Sequence, residues 1–253
     1  MEFDLTALLI ICPLIFVGGL VDAIGGGGGL ITLPAYLIAG VPPHAALATN
    51  KLSGTIGTTV SAFRLWKAGF LKIGTAIPSV ICALIGSAAG ARLALLVPED
   101  AFRLLLVFAL PVAAFFIFRK SSIPAEGEPM DERARTVKLC IASAICGAYD
   151  GFYGPGTGTF LLLAFTLWAR LGVRDASGQM KAVNLASNAA AFATFALSGE
   201  MLWVTGLIAS VFGIAGNYIG AGLVLKNGTK IVRPIIILVL AILFVKTAWE
   251  FLA

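Results

Sequence analysis

Four ionisable residues lie in long apolar stretches of this sequence: Asp22, Lys51, Asp150 and Lys181. An ionised side chain is costly in hydrocarbon, so acids and bases at such positions usually have a function or a charged partner. Lys51 and Lys181 are 130 positions apart, and Asp22 and Asp150 are 128 positions apart. The matched spacing predicts two copies of one arrangement, each containing an acid and a base.

A glycine-rich break follows each acid, at residues 25–29 and again at 154–158. The helix after such a break begins with unpaired backbone N–H groups, which carry partial positive charge and attract anions. A competing interpretation is that the glycines only allow tight helix packing. We predict that the breaks bind substrate through Gly26, Gly27, Gly28, Gly29, Gly154, Gly156, Thr157 and Gly158.

Polar side chains accompany the two lysines, and we predict that Asn50, Lys51, Gln179, Lys181 and Asn184 also bind substrate. The ammonium groups attract an anion, and the amides hydrogen-bond its oxygens.

The acids Asp22 and Asp150 are predicted to serve in coupling or in ion pairs. A purely structural alternative is that each half contains its own ion pair, Asp22 with Lys51 and Asp150 with Lys181. The two interpretations are compatible if a pair opens when substrate arrives. His44, which follows two prolines, is predicted to be a helix cap or an interface residue.

The composition is that of a membrane protein. Hydrophobic residues make up 59% of the 253 residues and charged residues 12%, against about 45–50% and about 25% in soluble domains. Basic cytoplasmic loops explain the net charge of +5, so we expect no nucleic-acid partner. The four cysteines lie in apolar runs without a CxxC pair, and we predict neither a metal site nor a cofactor.

The chain consists of two related halves. The segment "GSAAGARLAL" begins at Gly86, and "GNYIGAGLVL" begins 130 positions later at Gly216. We predict an all-α polytopic membrane protein with two inverted repeats, each a glycine-broken re-entrant helical hairpin followed by three transmembrane helices. The repeats are residues 1–118 and 137–253, and a cytoplasmic linker loop joins them at 119–136.

The apolar runs that flank the breaks are mostly short, whereas the later runs are long enough to cross a bilayer. The run at 5–24 fits either a full crossing or one arm of a hairpin. GxxxG spacing at Gly86/Gly90 and Gly216/Gly220 predicts close helix packing. The other predicted runs are 30–40, 45–63, 73–97, 101–118, 137–150, 157–169, 176–198, 203–225 and 231–252.

Charge predicts how the halves are oriented. The loop at 64–72, the linker and the segment at 170–174 are basic, whereas Glu200 and the segment at 99–100 are acidic. The positive-inside rule places the basic segments in the cytoplasm and both chain termini outside. The basic loop of the first half corresponds to the acidic loop of the second, which predicts that one half is inverted relative to the other.

Other function classes require different residues. A transition-metal permease, for cobalt as an example, needs clustered His, Cys, Met or carboxylate ligands, and the chain has one His and four Met. An enzyme needs a nucleophile with its base or a metal motif, and the sequence contains neither HExxH nor GxSxG. A passive anion channel, in which the same breaks line a pore, is a further alternative.

The stretch "GGGGGLITLPAYLIAGVPPHAALATNKLSGTIGTTVSAFRLWKAG" from Gly25 to Gly69, with its degenerate copy from Asp150 to Gly199, resembles the TauE/SafE sulfite-exporter family, also called the TSUP permeases. The resemblance covers essentially the whole chain. It implies a multi-pass permease of the bacterial inner membrane for small sulfur-containing anions such as sulfite or organosulfonates. We expect alternating access around a midplane anion site, with H⁺ or Na⁺ as the coupling ion.

Overall fold

The computed structural model describes residues 5–98, 101 and 127–227, and within these ranges it is helical, without strands. The all-α prediction is confirmed. The helices are α1 Leu5–Gly25, α2 Gly29–Ile38, α3 Pro43–Lys67, α4 Ile73–Leu96, α5 Glu132–Phe152, α6 Thr157–Leu163, a π-helical segment Ala164–Trp168, α7 Val173–Ala196 and α8 Trp203–Asn227.

The order of elements in α1–α4 recurs in α5–α8. Left-handed backbone conformations recur with it at three pairs of equivalent positions: Gly26 and Gly154, Gly40 and Arg170, and Gly69 and Gly199. Apart from residue 101, the crossings predicted at 101–118 and 231–252 lie outside the described residues, as does the linker at 119–126. The predicted repeat boundaries therefore stay predictions.

One helix begins earlier than its apolar run. Helix α5 starts at Glu132, inside the segment predicted as linker loop, because Asp131 caps it by accepting a hydrogen bond from the Ala134 amide at 3.0 Å. Hydropathy marks only the part of a helix that suits hydrocarbon, so it missed this charged first turn.

Glycines allow close packing between the two halves. A Cβ at Gly86 or Gly90 of α4 would overlap backbone carbonyls of α5, and a Cβ at Gly216 or Gly220 of α8 would overlap those of α1. The predicted packing role of both GxxxG pairs is confirmed. In each half the fourth helix packs on the first helix of the other half: α4 packs on α5, and α8 packs on α1. The carbonyls concerned belong to Ala144, Ala148, Phe16 and Leu20.

Helices α1, α3 and α8 run in one direction. Along α3 and α8, Thr49 contacts Leu202 near the start of both helices, and Arg64 contacts Tyr218 near the end of both. The glycine contacts between α1 and α8 advance along both helices in the same way.

Helices α4, α5 and α7 run in the opposite direction. Lys51, early in α3, donates to Asn188, late in α7, whereas Arg174 at the start of α7 donates to the Ala68 carbonyl just beyond α3. Helix α4 is parallel to both α5 and α7. Equivalent helices of the two halves therefore run in opposite directions. The contacts that align α4 with α7 join Gln179 to Ser79 and Ser87 to Ser187.

The second hairpin returns to the end of the bundle from which it starts. Lys138 of α5 donates to the Trp168 carbonyl at 3.3 Å, and Arg135 donates to the Ala169 carbonyl at 3.3 Å. The start of α7 lies at the same end, together with the loop at 64–72. Several basic segments therefore lie at one end of the bundle.

Within the described residues, α1, α4 and α8 are long and apolar enough to cross a membrane. Helices α3 and α7 have 25 and 24 residues, which is sufficient length, but both carry many polar residues. Those residues are largely buried against other helices, so the lower hydropathy reflects an internal polar site.

Candidate anion site

The long helices α3 and α7 each present a polar stripe with the same spacing. In α3 the stripe contains Lys51 and Thr58, with Gly54 between them on the same face, and in α7 it contains Lys181, Asn184 and Asn188. Residues three and seven positions apart share one face of an α-helix. The two stripes therefore bring basic, amide and hydroxyl groups together between the halves.

The buried lysines and acids form two ion pairs, and each pair joins the two halves. The Lys51 Nζ lies 2.8 Å from Asp150 Oδ1, and the Lys181 Nζ lies 2.7 Å from Asp22 Oδ2. The prediction of ion pairs within each half, Asp22 with Lys51 and Asp150 with Lys181, is wrong. The two glycine breaks contact each other, so each acid lies beside the lysine of the other half.

Further hydrogen bonds support these buried charges, as burial requires. Thr58 Oγ1 donates to Asp22 at 3.3 Å, and Ser187 Oγ donates to Asp150 at 2.7 Å. The Lys181 ammonium also donates to the Asp22 backbone carbonyl, and Lys51 donates to Asn188 Oδ1 at 3.2 Å. The charged groups are consequently fixed in position.

The two glycine breaks contact each other. Gly26 and Gly154 both have positive φ, +73° and +98°, and a Cβ on Gly26 would overlap the backbone of Gly158. Thr159 Oγ1 donates to the Gly25 carbonyl at 2.8 Å, which ties the second break to the end of α1. Protein thus surrounds these non-helical segments, which is a requirement for irregular backbone at membrane depth.

A cavity of about 50 Å³ lies between the stripes and the breaks. Since a water molecule needs roughly 10–15 Å³ on this measure, the space suits a few waters or one small ion. Its wall contains the two acids and Lys51. The complete lining is Ile15, Gly18, Gly19, Asp22, Gly26, Gly28, Gly29, Thr32, Asn50, Lys51, Ser53, Gly54, Thr58, Asp150, Gly154, Gly158, Asn184, Asn188, Gly213 and Asn217.

The structure brings most of the predicted site residues to this cavity, but five of them lie outside its lining: Gly27, Gly156, Thr157, Gln179 and Lys181. Thr157 donates to the Gly154 carbonyl at 2.7 Å and so closes the turn of the second break. Gln179 faces α4 and donates to the Thr75 carbonyl at 3.2 Å. Lys181 forms its ion pair with Asp22 and does not line the cavity.

His44 lies at a helix interface, as predicted, where its Nε2 is 3.1 Å from the Ala94 carbonyl at the end of α4.

Five polar residues of the cavity wall are absent from the predicted substrate-binding set: Thr32, Ser53, Thr58, Asn188 and Asn217. For Thr58 the signal is present, because it lies seven positions after Lys51 and so on the same helix face. Asn217 has a weaker signal, as a single amide within the apolar run of α8. As for metal ligands, residues 5–98 and 127–227 contain no group of three or more His, Cys, Asp or Glu side chains placed to hold an ion.

Comparison with known protein families gives a match over most of the chain. The family model described as "Sulfite exporter TauE/SafE" matches residues 11–247. The chain belongs to the TauE/SafE family. It is therefore a multi-pass membrane permease, and the predicted family resemblance is confirmed.

Three relatives with similar sequence identity to this chain are named as transporters. The "Probable membrane transporter protein ORF9" of Sinorhizobium sp is 34% identical, covering 94% of this chain and 90% of that protein. A "Probable membrane transporter protein" of Haemophilus influenzae is 32% identical over 99% and 98% of the two chains. YfcA of Escherichia coli K12, also a "Probable membrane transporter protein", is 33% identical over 92% and 86%. No solved structure matches this TauE/SafE chain.

Proposed function

We propose that this TauE/SafE permease moves small sulfur-containing anions, such as sulfite or organosulfonates, across the bacterial inner membrane. The observation that carries the proposal is the Lys51 ammonium, buried in the wall of a small polar cavity between two glycine breaks. The family description names sulfite, and an oxyanion suits the donors that line this cavity.

The donors come from several elements. Lys51 supplies a charge-assisted hydrogen bond, and the amides of Asn50 and Asn184 supply neutral ones. The glycines that line the cavity allow backbone N–H groups to approach a ligand without interference from side chains. Because Lys51 is paired with Asp150, an arriving anion must share or displace that carboxylate.

Alternating access between inverted repeats is part of the same proposal. Helix directions support it, because equivalent helices run in opposite directions and the second hairpin returns to its starting end. The two breaks then approach the cavity from opposite ends of the bundle. A site between such hairpins is the arrangement that secondary transporters use near the membrane midplane.

The two acids are proposed to couple transport to H⁺ or Na⁺. Both line the cavity, and each is tied to the lysine of the other half. Asp22 retains partial exposure, with 15% of its side chain accessible, whereas Asp150 retains 3%. Asp22 is therefore the better placed of the two to exchange an ion with solvent.

Reconstitution tests the proposal. Purified protein in liposomes is supplied with sulfite, sulfate, taurine, isethionate or sulfoacetate under imposed proton and sodium gradients. We expect protein-dependent uptake of at least one sulfur anion, and binding by calorimetry that weakens about ten- to a hundredfold in Lys51→Met, since one charge-assisted hydrogen bond is lost.

Lys72→Met is the matched control, because Lys72 lies on the surface with 72% of its side chain exposed. It should bind as the wild type does. Unchanged affinity in Lys51→Met, or no uptake of any sulfur anion by folded protein, would defeat the proposal.

A further inference from the structure

Asn217 of α8 carries a buried acceptor for which the described residues offer no donor. Its side chain amide lines the cavity, and the residue is 3% exposed. The Nδ2 group donates to the Gly213 carbonyl at 3.1 Å, whereas Oδ1 has no hydrogen-bond partner in the described part of the chain. Reversing the amide would place two oxygens together, so the hydrogen bond to Gly213 fixes Oδ1 as the free end.

An unpaired buried carbonyl is destabilising, and native proteins rarely keep one without a ligand or an ordered water. The equivalent position in the first half is Ser87, 130 residues earlier. Ser87 is fully buried too, but its hydroxyl donates to the Ser187 carbonyl at 2.6 Å. The equivalent position of the first half is therefore paired, and the unpaired acceptor of Asn217 lies at the cavity.

The cavity wall has more acceptors than donors among its charged groups. It contains the carboxylates of Asp22 and Asp150 but only one ammonium, that of Lys51. Each acid is already paired with a lysine, Asp22 with Lys181 and Asp150 with Lys51, so the four charges sum to zero. A dianion would bring two uncompensated negative charges into a space of about 50 Å³. A monoanion that still carries a proton gains an acceptor partner for that proton and experiences less repulsion.

We propose that Asn217 Oδ1 accepts a hydrogen bond from a small monoprotonated oxyanion held at Lys51, and that it selects this species over a fully deprotonated dianion. The inference rests on the proposed function and specifies its substrate: the permease carries the anion together with its proton. Hydrogensulfite belongs to this chemical class and sulfate does not, although the two are similar in size.

Calorimetry on the full-length protein in detergent tests the proposal with sulfite and sulfate as probes. Sulfite binding should weaken as pH rises through the ionisation that converts hydrogensulfite to the dianion, while sulfate binding stays weak and nearly constant. Sulfate controls for titration of Asp22, Asp150, Lys51 and Lys181, because it meets the same charged groups without gaining or losing a proton over that range.

Asn217→Leu removes the acceptor at similar volume. It should weaken hydrogensulfite binding about tenfold, the effect of one hydrogen bond, and leave sulfate binding within about twofold. If this variant fails to fold, the pH profile of the wild type still tests whether the site selects the monoprotonated anion.

The results separate this inference from the proposed function. Hydrogensulfite affinity that is unchanged in folded Asn217→Leu, or sulfite binding that strengthens as its proton is lost, overturns the role of Asn217 while leaving an anion permease. If the folded wild type binds neither anion and transports no other sulfur anion, the proposed function fails and this inference fails with it.

Discussion

Asp150→Asn should restore stability to a Lys51→Met protein, whereas Asp22→Asn should not. Removing the Lys51 ammonium leaves the Asp150 carboxylate with 3% of its side chain exposed and the Ser187 hydroxyl as its remaining described donor. Breaking one side of a buried ion pair costs about 3–5 kcal/mol, and replacing both partners by neutral groups is often nearly free. Lys51→Met should therefore lose about 3–5 kcal/mol, and the double substitution should recover most of it.

Combining Lys51→Met with Asp22→Asn should have the opposite effect. The Asp22 carboxylate is paired with Lys181 at 2.7 Å. Neutralising Asp22 therefore leaves the Lys181 ammonium buried without its counterion. This double variant should be less stable than either single variant.

The free energy of unfolding is measured by SDS titration in mixed micelles, with the fluorescence of the four tryptophans as the signal. Lys72→Met provides the control, because its ion pair with Asp175 is long at 3.8 Å and exposed, and such pairs contribute little. Rescue by Asp22→Asn without rescue by Asp150→Asn would show that the ion pairs lie within the halves and would refute the exchanged arrangement.

Three further predictions concern topology, packing and coupling. In a background without native cysteines, Lys72→Cys should label from the cytoplasmic side and Glu200→Cys from the periplasmic side, and labelling from one side would refute the predicted topology. Gly90→Ala should lower the free energy of unfolding by about 1–3 kcal/mol through overpacking against α5, whereas Gly74→Ala, with nothing within 4 Å of its Cβ, should be neutral or gain up to about 1 kcal/mol; equal effects would refute the packing argument. Asp22→Asn should abolish the response of uptake to a pH gradient yet keep exchange of bound substrate, and an unchanged pH response would remove this acid from coupling.

Much of the fold was predictable because hydrocarbon imposes simple rules on sequence. Most described helices begin and end within a few residues of their apolar runs, since length and hydropathy are fixed by the bilayer. Helix α5 is the exception, because its start depends on the Asp131 cap and not on hydropathy. The close helix packing at the GxxxG pairs was also predictable, since only glycine permits such close contact between backbones.

The ion-pair partners were not predictable from the repeat. An offset of 130 says which residues are equivalent, but equivalence does not say which residues touch. Two copies related by symmetry satisfy an acid equally well with the lysine of their own half or with that of the other. Contact between the glycine breaks decides between these possibilities, and that contact depends on backbone geometry around Gly26 and Gly158 that no side-chain pattern encodes.

The exchange of partners also bears on how transport is organised. Lys51 lies on α3 of the first half, and its counterion Asp150 lies at the end of α5, just before the break of the second half. An anion that binds Lys51 competes with this carboxylate, so binding weakens the ion pair between the second hairpin and α3. Separate pairs within each half would make no such connection. With the exchanged pairs, the proposed substrate acts directly on a contact between the halves, and that contact must change if the halves move relative to each other in alternating access.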